Sequence, residues 1–227
     1  MVVVSSEHGG NRVPQPYKPL FAGHEGLLAT HRGWDPGTAD LARRLAVAFG
    51  VEALISDITR LLVDLNRSAH HPRVFSEITR SLPRAERAAL LERWHEPHRA
   101  RVQEAVAAAA ERGRTVLHLG VHSFTPVLDG EERRADLALL YDPSRPRERW
   151  LAERWCAELR TTLPGVRVRR NYPYRGRSDG LTTALRGRFP EERYLGIEIE
   201  VNQKLLDPDG RFPAWVCEAL ASTCPTP

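Results

Sequence analysis

The stretch Val116-Leu117-His118-Leu119-Gly120-Val121-His122-Ser123-Phe124 decides how this chain folds. It is a short apolar run carrying β-branched residues, and it follows the turn signal Arg112-Gly113-Arg114. That combination predicts a buried strand. In open α/β sheets, ligands bind just beyond the carboxyl ends of the strands. His122 stands at that end. Two further runs have the same form. Val2-Val3-Val4-Ser5 leads directly into Glu7-His8-Gly9-Gly10, and Tyr194 to Asn202 sets Glu198 and Glu200 inside an apolar pattern. Three strand ends therefore carry His8, His122 and Glu200. Imidazole ligands beside a free carboxylate base are the grouping that a mononuclear zinc hydrolase needs.

Composition sets the frame. A chain of 227 residues suits a single domain spanning residues 1–227, and 41% hydrophobic content can build a sizeable core. Of 33 basic residues, 31 are Arg and only Lys18 and Lys204 are Lys. The net charge is +4, with basic residues spread among acids rather than gathered in a stripe, which argues against a nucleic-acid partner. Cys156, Cys217 and Cys224 are odd in number and form no C-x-x-C pair, so a disulfide framework is not expected and a cytoplasmic setting is. The Met1 start lacks a basic n-region, and no apolar run is long enough to span a membrane.

In chain order, residues 2–5 are a first strand, and Gly9-Gly10 gives His8 a flexible setting; His8 reads as a ligand or as a surface residue in a turn. Leu41, Leu45 and Phe49 recur at helical spacing, giving a helix that ends at Gly50. Asp35 with Pro36 is placed to cap that helix or to supply an oxygen ligand. Val51 to Ile55 is a second strand, and Thr59 to Arg67 is a strand or extended segment ending in Asn66 and Arg67. Such a pair can hold a carboxylate, Arg as a fork and Asn through its amide hydrogens. Residues 83–112 read as one or two helices broken near Pro97, with His95 and His98 on one face. Residues 136–141 and 166–169 are further strands. The helix over 146–162 turns Trp150, Leu151, Trp155 and Leu159 inward. Asn171 to Gly180 has the content of a mobile active-site loop, and a terminal helix lies around 213–221.

Taken together, the motifs Glu-His-Gly-Gly-Asn-Arg-Val-Pro (7–14), Trp-Asp-Pro-Gly-Thr (34–38), Arg-Leu-Leu-Val-Asp-Leu-Asn-Arg (60–67), Gly-Val-His-Ser-Phe-Thr-Pro (120–126), Asn-Tyr-Pro-Tyr-Arg-Gly (171–176) and Gly-Ile-Glu-Ile-Glu-Val-Asn-Gln (196–203) resemble the N-formylglutamate amidohydrolase family. More distantly the chain is similar to zinc carboxypeptidases and aspartoacylase. The resemblance implies an α/β fold of phosphorylase/hydrolase-like type, three layers around a central mixed sheet. It implies one Zn2+ per chain on His8, Asp35 and His122. Zinc carboxypeptidases take a ligand three residues after the first His, and Asn11 stands there. Glu200 matches the general base, with Glu198 as the alternative on the same strand face. Asn66 and Arg67 match a substrate-carboxylate clamp, Arg60 an oxyanion-stabilising Arg, and Arg175 a second substrate-binding candidate. The implied partner is a small N-acyl amino acid.

Overall fold

The computed structural model describes residues 1–226. Its strands are β1 Val2–Ser6, β2 Ala53–Ile55, β3 Val116–Phe124, β4 Val127–Leu128, β5 Glu131–Glu132, β6 Leu137–Leu140, β7 Val168–Arg170 and β8 Tyr194–Asn202. Its α-helices are α1 Glu25–Leu28, α2 Thr38–Phe49, α3 Arg84–Leu90, α4 Glu96–Glu111, α5 Pro146–Thr162, α6 Leu181–Arg186 and α7 Ala214–Thr223. Six strands form one sheet in the order β2-β1-β3-β8-β6-β7, while β4 and β5 make a separate antiparallel ribbon. β2, β1, β3 and β8 are mutually parallel, and β6 runs antiparallel to β8. The sheet is therefore mixed, with helices on both faces, as expected.

Parallel strands covered on both sides read as continuous apolar runs, and all nine residues of β3 are buried. Strand alternation then sorts the two faces. Leu117, Leu119 and Val121 of β3 join Leu195, Ile197, Ile199 and Val201 of β8 in the larger core, packed against α2, α5 and α7. The opposite face presents His118, Gly120 and His122 from β3, with Glu198 and Glu200 from β8. Register pairs Gly120 with Glu198 and His122 with Glu200. α4 and α6 cover the start of this face, where Val102, Val106, Leu181 and Leu185 pack with Val3, Val116 and Tyr194. Deeper along β3, the His118 ring bridges Ser5 Oγ and the Tyr194 hydroxyl, at 2.8 Å each. Burial pushes His118 down to about 4, so it is neutral and structural. The polar end of the same face is left for chemistry. Leu119 lies in the packed centre of β3. Leu119→Ala is expected to cost about 2–5 kcal/mol, read as a lower denaturant midpoint.

Several local expectations need correction. Residues 59–67 are not a strand. They form successive turns, with Leu62 N donating to Thr59 O and Arg67 N to Asp64 O. Their apolar side chains fill a separate cluster with Phe21, Val74 and Leu90. The helical region from α3 to α4 is not broken at Pro97. A π turn at Leu91–His95 joins them, with Glu96 N donating to Leu91 O. The wider turn accommodates a proline that lacks an N–H and crowds the preceding turn. Trp150 faces outward at 52% exposure, unlike Leu151, Trp155 and Leu159, which are buried. Asp35 does not cap α2. Gly37 does, at φ +81°, where an added Cβ would also strike Phe212.

Candidate active site

β1, β3 and β8 are adjacent in the sheet and parallel, so their carboxyl ends converge. His8 lies just past β1, and His122 and Glu200 lie near the ends of their strands. The Gly9-Gly10 pair has a tighter function than flexibility. A Cβ on Gly9 would meet Ile55 at 2.6 Å, and one on Gly10 would meet the Asp57 carbonyl oxygen at 2.6 Å. The segment after β1 therefore packs flush on residues 55–57. Asp35 arrives from the loop before α2, tied by its N–H to His8 O at 2.9 Å. With the carboxylate released from capping, it turns into the site.

Asp35 Oδ2 lies 3.3 Å from His8 Nδ1 and 3.0 Å from His122 Nδ1. One ligand atom from each of the three residues falls within 4.8 Å of the others, and all three side chains are buried. Two nitrogens and an oxygen gathered this closely are a donor set able to hold a metal ion. Each ring's other nitrogen meets a further carboxylate. His8 Nε2 donates to Asp64 Oδ1 at 2.8 Å, and His122 Nε2 stands 3.2 Å from Glu7 Oε2. Arg60 links Asp35 Oδ1 at 3.3 Å with Asp64 Oδ2 at 2.8 Å.

The electrostatics follow from this packing. Burial opposes charge on His122, but its contacts with Asp35 and Glu7 hold its pKa well above the ordinary value. His8 is likewise raised by Asp64 and Asp35, against burial and the Arg60 charge. Burial alone would raise Asp35, yet His8, His122 and Arg60 keep it below the usual carboxylate range. Glu200 goes the other way: burial, with Asp35 and Glu198 nearby, pushes it up to about 8. Its Oε2 is buried without a hydrogen-bond partner. Glu198, by contrast, accepts a hydrogen bond from Thr182 Oγ1 at 2.9 Å.

These groups open onto a cleft of about 840 Å3, which Arg60, Asn66, Arg67 and Arg175 also line. Asn66 Oδ1 accepts the Leu181 N–H at 2.7 Å, which leaves its Nδ2 as a donor. Arg67 Nη1 donates to Asp179 O at 2.9 Å. The 171–180 loop is tied down rather than free. Asn171 Oδ1 accepts from Tyr141 N and Gly176 N, and Ser68 N donates to Asp179 Oδ2. Arg175 stands exposed on this loop. Asn11 is turned away from the cleft and donates to Leu28 O. His95 and His98 support the site from behind, as His95 Nε2 donates to Arg67 O and His98 Nε2 approaches Glu7 Oε1 at 3.5 Å.

Sequence reasoning gave no role to Glu7 or Asp64. Both sit inside the sequence motifs 7–14 and 60–67, next to His8 and just before Asn66. Burial beside a ring nitrogen is what distinguishes them, and that is visible only in three dimensions.

A family model described as N-formylglutamate amidohydrolase matches residues 1–206. The chain belongs to the N-formylglutamate amidohydrolase family. Every candidate site residue of this amidohydrolase chain, from His8 to Glu200, falls inside the matched region. The gene product Atu2144 from Agrobacterium tumefaciens is 30% identical, with a TM-score of 0.81 over 98% of this chain and 89% of its own. The N-formylglutamate amidohydrolase from Ralstonia eutropha JMP134 is 23% identical, with a TM-score of 0.73 over 98% of this chain and 90% of its own, and shares the fold. No curated protein matches the chain. No described helix is long and apolar enough to cross a membrane.

Proposed function

We propose that this amidohydrolase cleaves the amide of N-formyl-L-glutamate, or of a closely related N-acyl amino acid, with His8, Asp35 and His122 holding one Zn2+. The carrying observation is the Glu200 carboxylate, buried and unpartnered, beside the His8-Asp35-His122 cluster at the cleft. A zinc ion held by these three residues would supply Lewis acidity for the hydrolysis. Glu200 Oε2 takes a proton from the attacking water and returns it to the leaving nitrogen, the role for which a raised carboxylate pKa suits it. Arg60, anchored by Asp35 and Asp64, keeps further N–H donors for the developing oxyanion. Arg67 and the Asn66 amide hydrogens grip the substrate carboxylate, and Arg175 approaches from the loop. For N-formyl-L-glutamate and water, the products are formate and L-glutamate.

The deciding experiment measures metal content and formate release from N-formyl-L-glutamate, before and after chelation. One zinc per chain with chelator-sensitive formate release supports both chemistry and substrate; no metal after reconstitution with zinc overturns the ligand set. The cleft favours a second reading of the substrate. A volume of about 840 Å3 exceeds what formyl and glutamate need and falls in the range of drug-sized ligands. Zinc binding without formate release directs the search to a panel of N-acyl amino acids with larger acyl groups.

A pH dependence follows. His8 and His122 have raised pKa values without a metal, so each holds its proton to higher pH than a free imidazole. A cation has to displace those protons. Zinc affinity is therefore expected to weaken as pH falls from 8 to 6, checked by competition with a chromophoric chelator at each pH.

A further inference from the structure

Behind the two histidines, on the ring nitrogens facing away from Asp35, stand two buried carboxylates. Asp64 Oδ1 accepts from His8 Nε2 at 2.8 Å and from Asn66 N at 3.1 Å, while Oδ2 accepts from Arg60 Nη2 at 2.8 Å. Every polar neighbour of Asp64 in this set is a donor. Glu7 stands between two imidazoles, an ion-pair neighbour 3.2 Å from His122 Nε2, which makes no hydrogen bond, and 3.5 Å from His98 Nε2. We propose that Asp64 and Glu7 are positioning residues, Asp64 for His8 and Glu7 for His122, each holding its ring with Nδ1 turned to the shared ligand centre. The inference rests on the reading that His8, Asp35 and His122 bind a metal.

The chemistry behind it is a choice of tautomer. A neutral imidazole has one N–H and one lone pair, and only the lone pair ligates. A carboxylate on Nε2 keeps the proton there, so the lone pair falls on Nδ1. It also fixes the ring plane and makes the ligand more basic. Both rings already direct Nδ1 to the same atom, Asp35 Oδ2. Asp64 does more than Glu7, because one carboxylate joins three parts of the site. His8 is a ligand, Arg60 faces the oxyanion, and the Asn66 backbone begins the substrate clamp. A displaced Asp64 disturbs all three together.

Charge can be separated from shape. Asp64→Asn keeps the shape, but its amide presents hydrogens to at least one of the donors now facing Asp64. Asp64→Glu keeps the carboxylate and adds a methylene. A packing role ranks Asn above Glu, and a positioning role ranks Glu above Asn. The same contrast holds for Glu7→Gln against Glu7→Asp. Zn2+ and Co2+ affinities would be measured by chelator competition, together with the visible spectrum of the Co2+ form. Asp64→Asn and Glu7→Gln are expected to weaken binding by about 10- to 100-fold and to alter the Co2+ spectrum, with the carboxylate-retaining variants closer to wild type. Wild-type affinity and spectrum in both amide variants, or Asn and Gln outranking Glu and Asp, overturns the inference. Should one amide variant fail to fold, the pair at the other position carries the same test. A wild-type protein that takes up neither metal overturns the underlying metal reading instead, and that result is distinct from either ranking.

Discussion

Glu200→Gln is expected to lower kcat by roughly a hundred- to ten-thousand-fold, the usual contribution of a positioned general base, while one zinc per chain remains bound. The change removes a proton acceptor without altering shape. Its size follows from the environment of the group. Glu200 is buried, its Oε2 has no partner, and burial raises its affinity for a proton. On the proposed mechanism, that unpaired oxygen is the one that meets the attacking water. Glu198 stands one alternation away on the same face, but it is engaged by Thr182. Glu198→Gln is accordingly expected to have the smaller effect. Steady-state kinetics with metal analysis on both variants decides the matter: full activity in Glu200→Gln with loss in Glu198→Gln would exchange the two assignments.

Much of this arrangement is legible in the amino-acid sequence. The apolar runs around His122 and Glu200 and after Met1 are strands, and their parallel adjacency brings His8, His122 and Glu200 together. Strand signals are strong where both faces are buried, because the run is then apolar throughout. The same reasoning failed at Thr59 to Arg67. Leu61, Leu62, Val63 and Leu65 are buried there by a local cluster of turns, so apolar content reported burial and not extension. Asp35 was ambiguous because a cap and a ligand want the same residue type in the same place. Gly37, whose positive φ starts α2 without a side-chain cap, removes the capping role. Glu7 and Asp64 carry no periodic or spacing signal. Their meaning depends on ring nitrogens, and Asp64 meets one 56 positions away in the chain.

Asp35→Ala is expected to abolish metal binding and activity together, with no recovery in excess zinc. Asp35 Oδ2 is the one atom that both Nδ1 nitrogens approach, at 3.3 and 3.0 Å, and Oδ1 holds Arg60 at 3.3 Å. Its removal takes away an oxygen ligand and the negative charge facing two imidazoles and a guanidinium. The remaining His8 and His122 would have to hold a cation beside an Arg60 relieved of half its pairing. Like charges at that spacing in a buried site are costly. Two protein ligands also fall short of the three that catalytic zinc centres use. The expected order of damage separates the parts of the site. Asp35→Ala loses zinc outright, Asp64→Asn weakens it, and Glu200→Gln keeps it while losing turnover. Metal stoichiometry and kcat measured side by side on the three variants test that order. If Asp35→Ala still holds one zinc per chain at wild-type affinity, another carboxylate supplies the third ligand.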